Sequence, residues 1–102
     1  MARKTITLLP HTEEALEKMG HRIRRARLRR NISAEELAHK AGISTCTLTS
    51  IEKGLSTVSI GAYAAVLAVL ELDQVLGLIA EDDIGKKKFW EQNLVERKRA
   101  KR

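Results

Sequence analysis

LAHKAGISTCTLTSIEKG, residues 37–54, decides the fold that the sequence predicts. Two short helical segments in this stretch are joined by the link AGIS at residues 41–44. Gly42 can end the first segment with a positive φ, and the Ser44 side chain can cap the second. Ile43 is the apolar residue that would seal the turn between them. The stretch therefore predicts a helix-turn-helix, whose second helix can enter the major groove of DNA.

Helix signals on both sides extend this pair to an all-α domain of five helices. The first predicted helix runs from its N-cap Thr12 to about Asn31. The next three cover residues 34–40, 45–53 and 60–70, and their predicted caps are Ser33, Ser44 and Ser59. Asp73 is the predicted cap of a fifth helix. Ser33 and Glu36 form a capping box, S-x-x-E.

The fourth predicted helix is apolar almost all round and is expected to be the most buried. The expected inward positions are Ile60, Tyr63, Ala64, Leu67 and Leu70 in the fourth helix and Val75, Leu76 and Ile79 in the fifth. Four further apolar positions exceed what one small core can cover, and some of them are expected to face a second copy of the chain. These surplus positions are Val66, Val69, Leu72 and Leu78.

The length of 102 residues suits one compact domain. We expect an N-terminal arm or short strand over residues 1–11, the DNA-binding domain over residues 12–80, and a charged tail over residues 81–102. Nothing in the N-terminal residues resembles a secretory signal, and no apolar run is long enough to span a membrane. We therefore expect a cytoplasmic protein, associated with the nucleoid if it binds DNA, and no membrane partner.

The net charge of +6 is unevenly distributed along the chain. Residues 1–32 carry nine Lys or Arg and three Glu, residues 33–84 carry two Lys and eight acids, and residues 85–102 carry eight Lys or Arg and two Glu. Two basic blocks thus flank an acidic middle. Polyanions are the expected partners of such blocks, with solvated faces or a disordered tail as the alternative.

The sequence shows no sign of catalytic or metal chemistry. It has no glycine-rich phosphate loop and no nucleophile paired with a base, so we expect neither an enzyme nor a cofactor. Glu36 and His39 have helical spacing, but two ligands do not make a metal site. Cys46 is the single cysteine. We interpret it as a small contact residue rather than a redox sensor, because no second cysteine could resolve an oxidised thiol.

ISAEELAHKAGISTCTLTSIEKG, residues 32–54, resembles the helix-turn-helix of the Cro/cI-type (XRE) repressors. The similarity runs from about Ile23 to Ile79 and keeps the family order of five helices. The resemblance implies a lambda-repressor-like fold and a homodimer that binds a palindromic operator in double-stranded DNA. The half-sites of such operators lie ~34 Å apart.

The resemblance also implies roles for individual residues. Thr45, Cys46 and Ser50 match positions that contact base edges, and Thr49 is a fourth candidate on the same helix. Ser44, Thr47 and Lys53 match positions that contact the DNA backbone. Independently of the resemblance, the positive charges of Arg22, Arg24, Arg25 and Lys40 make them further candidates for backbone contacts. Arg27 and Glu52 match a structural ion pair between the first and third helices.

One position departs from the family pattern. Ala34 stands where many members have a glutamine that braces the recognition helix and binds phosphate. The absent brace leaves the docking angle of the recognition helix open. The low charge of that helix is compatible with DNA recognition, because hydroxyl and methyl groups can discriminate bases while phosphate contacts elsewhere provide affinity.

The tail has a second, softer resemblance. Its D-I-G step at residues 83–85 and its basic ending resemble the tails of HipB-like antitoxins, as does the Pro10-led entry to the first helix. This resemblance implies a HipA-like Ser/Thr kinase toxin as partner. Candidate partner contacts are Phe89, Trp90 and Leu94, although Phe89 and Leu94 could instead pack back on the domain. The remaining alternatives are a free-standing XRE regulator and an interaction module that does not bind DNA.

Overall fold

The computed structural model describes residues 6–81, and this part of the chain is all-helical, as predicted. It forms four α-helices and one 3-10 helix: α1 (Pro10–Arg29), α2 (Ala34–Ala41), α3 (Thr45–Glu52), α4 (Ile60–Val69) and the 3-10 helix (Asp73–Leu78). Residues 6–9 form no strand. The core lies where α2, α3 and α4 pack together against the second half of α1.

The start of α1 differs from the prediction that Thr12 caps it. The helix begins at Pro10, and the extended residue Leu9 precedes it without a side-chain cap. Proline suits the first helical position, because its φ is already helical and the N–H that it lacks would have no partner in the helix. The Leu9 carbonyl accepts hydrogen bonds from the backbone N–H groups of Thr12 and Glu13 at 2.9 and 3.0 Å.

Serine caps open the next three α-helices, and these predictions are confirmed. Ser33, Ser44 and Ser59 each accept a hydrogen bond at 3.1 Å from the backbone N–H three residues later. The Glu36 carboxylate does not close the expected capping box and instead pairs with the Lys40 ammonium at 3.1 Å. Each serine thus satisfies a backbone donor that the start of a helix leaves without a partner.

The turn between α2 and α3 also has the predicted form. Gly42 has a φ of 74°, and the backbone N–H of Ile43 donates to the Ala38 carbonyl at 3.0 Å. This left-handed residue and its hydrogen bond end α2. Asn31 likewise adopts a positive φ of 53° just after α1.

The orientation of α4 was predicted only in part. Tyr63, Leu67 and Leu70 are buried, but Ile60 is 73% exposed and Val66, expected as a surplus position, is fully buried. Because α4 is almost entirely apolar, its sequence has no polar face to show which side points inward. The core contacts of α2 and α3 decide the orientation instead.

The fifth predicted helix is a 3-10 helix. Asp73 does not cap it with its side chain, and Leu72 occupies the position before it. Leu76 packs against the core, whereas Ile79 is 63% exposed and Val75 is also exposed. A 3-10 helix has three residues per turn, so the spacing that placed all three side chains on one face of an α-helix does not hold.

Two glycines bring α1 and the end of α3 into backbone contact. A Cβ atom on Gly20 would lie 2.6 Å from the backbone nitrogen of Gly54, and a Cβ atom on Gly54 would overlap the Leu16 carbonyl. Gly54 also has a φ of 71°, which disfavours any other L-residue. The two helices therefore cross at a distance that no side chain at either position would allow.

We predict that Gly54→Ala lowers the free energy of unfolding by more than about 4 kcal/mol, because it adds a backbone clash to left-handed strain. Gly77→Ala is the matched control, since a Cβ atom at Gly77 would meet nothing within 4 Å. The control should change stability by less than about 1 kcal/mol. Urea denaturation followed by circular dichroism measures both effects, and similar stabilities for the two variants would contradict the tight crossing.

Candidate nucleic-acid interface

The third helix presents a polar face to solvent. Leu48 and Ile51 are buried and anchor α3 in the core. On a helix that turns 100° per residue, the opposite side belongs to Cys46, Thr49 and Lys53, and Thr45 lies at its edge. All four are exposed, while Ser50 is half-buried. The four candidate base contacts therefore lie along the outer side of α3, with Ser50 at its margin.

Three hydroxyl groups on α3 and at its N-cap already take part in hydrogen bonds within the protein. The Thr49 hydroxyl donates to the Thr45 carbonyl at 3.0 Å, so its methyl group and an oxygen lone pair remain for a ligand. The Ser44 hydroxyl donates to Thr47 Oγ1 at 3.0 Å, and its oxygen accepts from the Thr47 backbone N–H. The Thr47 hydroxyl hydrogen therefore stays available for an acceptor such as a phosphate oxygen.

A crevice of about 780 Å³ runs along one side of α3, between this helix and α1. Arg24, Thr49 and Lys53 line it, which places two cations beside a candidate base contact. His21 and Glu17 of α1 also face the crevice. The sequence analysis did not identify His21 as a residue of this surface. Its i, i+3 spacing with Arg24 is visible in the sequence, but the sequence does not show which side of α1 meets α3.

The three candidate arginines of α1 do not share one surface. Gly20 touches α3, and helical geometry places Arg24 about 40° around α1 from it. Arg25 and Arg22 lie about 140° and 160° around α1 from Gly20, so both are on the side of α1 that points away from α3. Arg24 lines the crevice beside α3, and the other two do not. Lys40 is on α2, where Glu36 partly neutralises it.

A second, smaller crevice of about 510 Å³ lies on the other side of α3. Cys46, Thr47 and Ser50 line it together with Thr57 and Ser59 from the segment that leads into α4. This side carries hydroxyl groups and a thiol but no charged side chain. The two flanks of α3 thus differ in chemistry, one cationic with nearby carboxylates and the other neutral and polar.

Arg27 and Glu52 tie α1 to α3 beneath the larger crevice. The Arg27 Nε atom lies 2.7 Å from Glu52 Oε2, and its Nη2 atom donates to Oε1 at 3.2 Å. A third hydrogen bond reaches the Ile32 carbonyl at 3.1 Å, just before α2. Both side chains are 10% exposed. The hydrogen bond with Glu52 raises the pKa of Arg27 above its ordinary value, against the opposing effect of burial.

Ala34 lies at the edge of the same crevice, at the first position of α2. It is half-buried and packs against the core. Its methyl group carries no hydrogen-bonding atom and fills little space, so the crevice stays open at this point. The support that positions α3 comes instead from the ion pair and from the glycine crossing.

We predict that Glu52→Gln lowers the free energy of unfolding by about 3 kcal/mol, because the buried Arg27 guanidinium loses its carboxylate. Glu36→Gln is the matched control, since it breaks the exposed pair with Lys40 and should cost less than about 1 kcal/mol. Urea denaturation at neutral pH measures both. Equal losses in the two variants would show that the ion pair does not hold α1 against α3.

The candidate partner contacts Phe89, Trp90 and Leu94 lie outside the described residues. Between residues 6 and 81, no helix is long and apolar enough to cross a membrane. Over the same range, no group of three or more His, Cys, Asp or Glu side chains comes together as a metal site would require.

Comparison with known families finds a match over much of the chain. A family model described as a helix-turn-helix domain matches residues 18–76, more than half of the chain. The match begins in α1, includes α2, α3 and α4, and ends within the 3-10 helix. No curated protein matches the chain.

Proposed function

Because the chain belongs to the helix-turn-helix domain family, whose members are typically non-enzymatic DNA-binding proteins, we propose that it is a transcription repressor of the Cro/cI type. The outer face of α3 is the observation that carries this proposal. That face is polar and exposed, and the buried Arg27–Glu52 pair holds its helix against α1. A rigid, exposed helix of this kind is what entry into a major groove requires.

In the proposed complex, α3 discriminates bases through small side chains. Thr45 and Cys46 in its first turn, with Thr49 and Ser50 one turn later, face the base edges. Threonine methyl groups can contact the thymine methyl, and hydroxyl oxygens can accept hydrogen bonds from base amino groups. The hydroxyl of Thr49, which donates to the Thr45 carbonyl, fits the accepting role.

Affinity in this proposal comes from the flanks of α3. Arg24 and Lys53 line the crevice beside the helix and would bind phosphates of one DNA strand. Ser44 and Thr47 would bind phosphate at the N-terminal end of α3, where backbone N–H groups also favour anions. Their positions make Arg24 a stronger candidate than Arg22 or Arg25, which do not line this crevice.

We further propose that two copies bind a palindromic operator, because a single helix-turn-helix reads few base pairs. Val75 and Leu78 support this proposal, since they are exposed apolar residues of the 3-10 helix. Val66, one of the positions expected at the dimer surface, is fully buried and is therefore excluded from it. Cytoplasmic location and association with the nucleoid follow from the proposed DNA binding.

The test is binding of the chain to the DNA upstream of its own gene over a series of salt concentrations. We predict that Arg24→Ala weakens binding and reduces the slope of log K against log salt by about one, as the loss of one phosphate contact requires. Arg22→Ala is the matched control, with the same charge change on the opposite flank of α1, and should leave the slope nearly unchanged.

Thr45→Ala distinguishes base from phosphate contacts in the same assay. It should change the preference for operator variants while the salt slope is kept. The stoichiometry should be two chains per palindromic operator. Undetectable binding at low salt would favour an interaction module that does not bind DNA, and equal effects of Arg24→Ala and Arg22→Ala would refute the crevice as the phosphate site.

A more specific role is proposed from the tail sequence. Its resemblance to HipB-like antitoxins supports a repressor that also neutralises a HipA-like Ser/Thr kinase, with Phe89, Trp90 and Leu94 as contacts. We predict that the full chain retains such a kinase, encoded beside it, in a pull-down, and that the variant Phe89→Ala, Trp90→Ala retains less. The absence of a neighbouring kinase gene would leave a free-standing regulator as the function.

A further inference from the structure

An apolar groove of about 340 Å³ opens between the first half of α1 and the first half of α4. The N-terminal segment, the loop after α3 and the end of the 3-10 helix complete its walls. The side chains that matter here are Ile6, Leu16, Leu55, Ile60, Tyr63 and Ile79. The groove is distinct from the two crevices beside α3, although Leu55 also borders the larger one and Val58 the smaller one.

The groove is apolar but open to solvent in the described part of the chain. Ile6 and Ile60 are 70% and 73% exposed, and Ile79 is 63% exposed. Covering such a side chain removes apolar surface from water and is therefore favourable. Three exposed isoleucines around one groove therefore indicate a binding surface for an apolar segment.

We propose that the groove receives residues 89–95, FWEQNLV, of the same chain. The described chain passes along the groove at Ile79 and ends two residues later at Glu81. From Glu81 to Phe89 there are eight residue steps, which span up to about 26 Å when extended. The connection is therefore long enough to turn back and place Phe89 or Trp90 in the groove.

The apolar side chains of this segment suit the groove. Phe89, Trp90, Leu94 and Val95 lie within seven residues, between two basic runs. Phe89 and Trp90 are two of the three aromatic residues in the chain, and the third, Tyr63, lines the groove. The Tyr63 hydroxyl donates to the Leu55 carbonyl at 2.8 Å, and burial raises the pKa of this phenol. Its ring is thereby fixed as one wall, where an aromatic side chain can pack against it.

Charge favours the tail over a second copy of the chain as the occupant of the groove. Residues 54–81 carry three acids and no Lys or Arg, and residues 10–19 of α1 carry three Glu and one Lys. Residues 85–102 carry eight Lys or Arg and two Glu, so the tail is attracted to the segments that form the groove. In a symmetric dimer the same surface of two copies would meet. The net negative segments of two copies would then be brought together, which is unfavourable.

Trp90 is the single tryptophan, so its fluorescence reports on this segment directly. In the full chain without DNA or other protein, we predict blue-shifted Trp90 emission and weak quenching by acrylamide. Energy transfer from Tyr63, the single tyrosine, should be visible in the excitation spectrum. High salt should increase quenching, because it screens the attraction between tail and groove.

Ile60→Gln and Ile79→Gln should shift the emission to longer wavelength and raise quenching, because both replace an exposed groove residue with a neutral polar one. Leu28→Gln is the matched control: Leu28 is also an exposed apolar residue, but it does not line the groove. Circular dichroism should show unchanged helix content in all three variants.

The inference would be overturned by Trp90 emission typical of water in the unmodified chain. It would also be overturned if Leu28→Gln acted like the groove variants, or if the groove variants had no effect. A blue shift that is lost on dilution from micromolar to nanomolar chain would show that the tail enters the groove of a second copy instead. None of these results depends on whether the chain binds DNA or a kinase.

Discussion

The position of the recognition helix depends on one close contact, the crossing of α1 over the end of α3 at Gly20 and Gly54. At this point two backbones meet without intervening side chains. The crossing places Arg27 within 2.7 Å of Glu52, so a bidentate ion pair fixes the rotation of α3 as well as its distance from α1. With the distance and rotation set, Leu48 and Ile51 point into the core and Thr45 and Thr49 point to solvent.

Much of the fold could be predicted because its signals are local. Serine caps and a left-handed glycine act within three or four residues, so sequence spacing reveals them directly. The start of α1 was misplaced because Pro10 begins the helix without a side-chain cap. The face of α4 and the geometry of the 3-10 helix depend on contacts with distant residues. A uniformly apolar segment such as α4 carries no pattern from which its buried face can be inferred.

The same distinction applies to the candidate site. Resemblance to a family pointed to the outer face of α3 and to the pairing of Arg27 with Glu52, which the structure contains. It could not separate Arg24 from Arg22, because these differ only in which side of α1 they occupy. That side is set by the contact of Gly20 with α3, which the spacing of residues within α1 does not reveal. His21 was missed for the same reason.

The arrangement also accounts for the low charge of α3 and for an alanine, in place of the usual glutamine, at position 34 at the start of α2. A brace is needed where the recognition helix could rotate, but here Arg27 of α1 already bonds to Glu52 of α3 and to the Ile32 carbonyl, two residues before α2. In the proposed complex, Arg24 would supply the phosphate-binding cation in the crevice that Ala34 also lines. An alanine would then leave room for a DNA backbone to approach that cation. The small residue and the arginine therefore act as complementary parts of one proposed phosphate site.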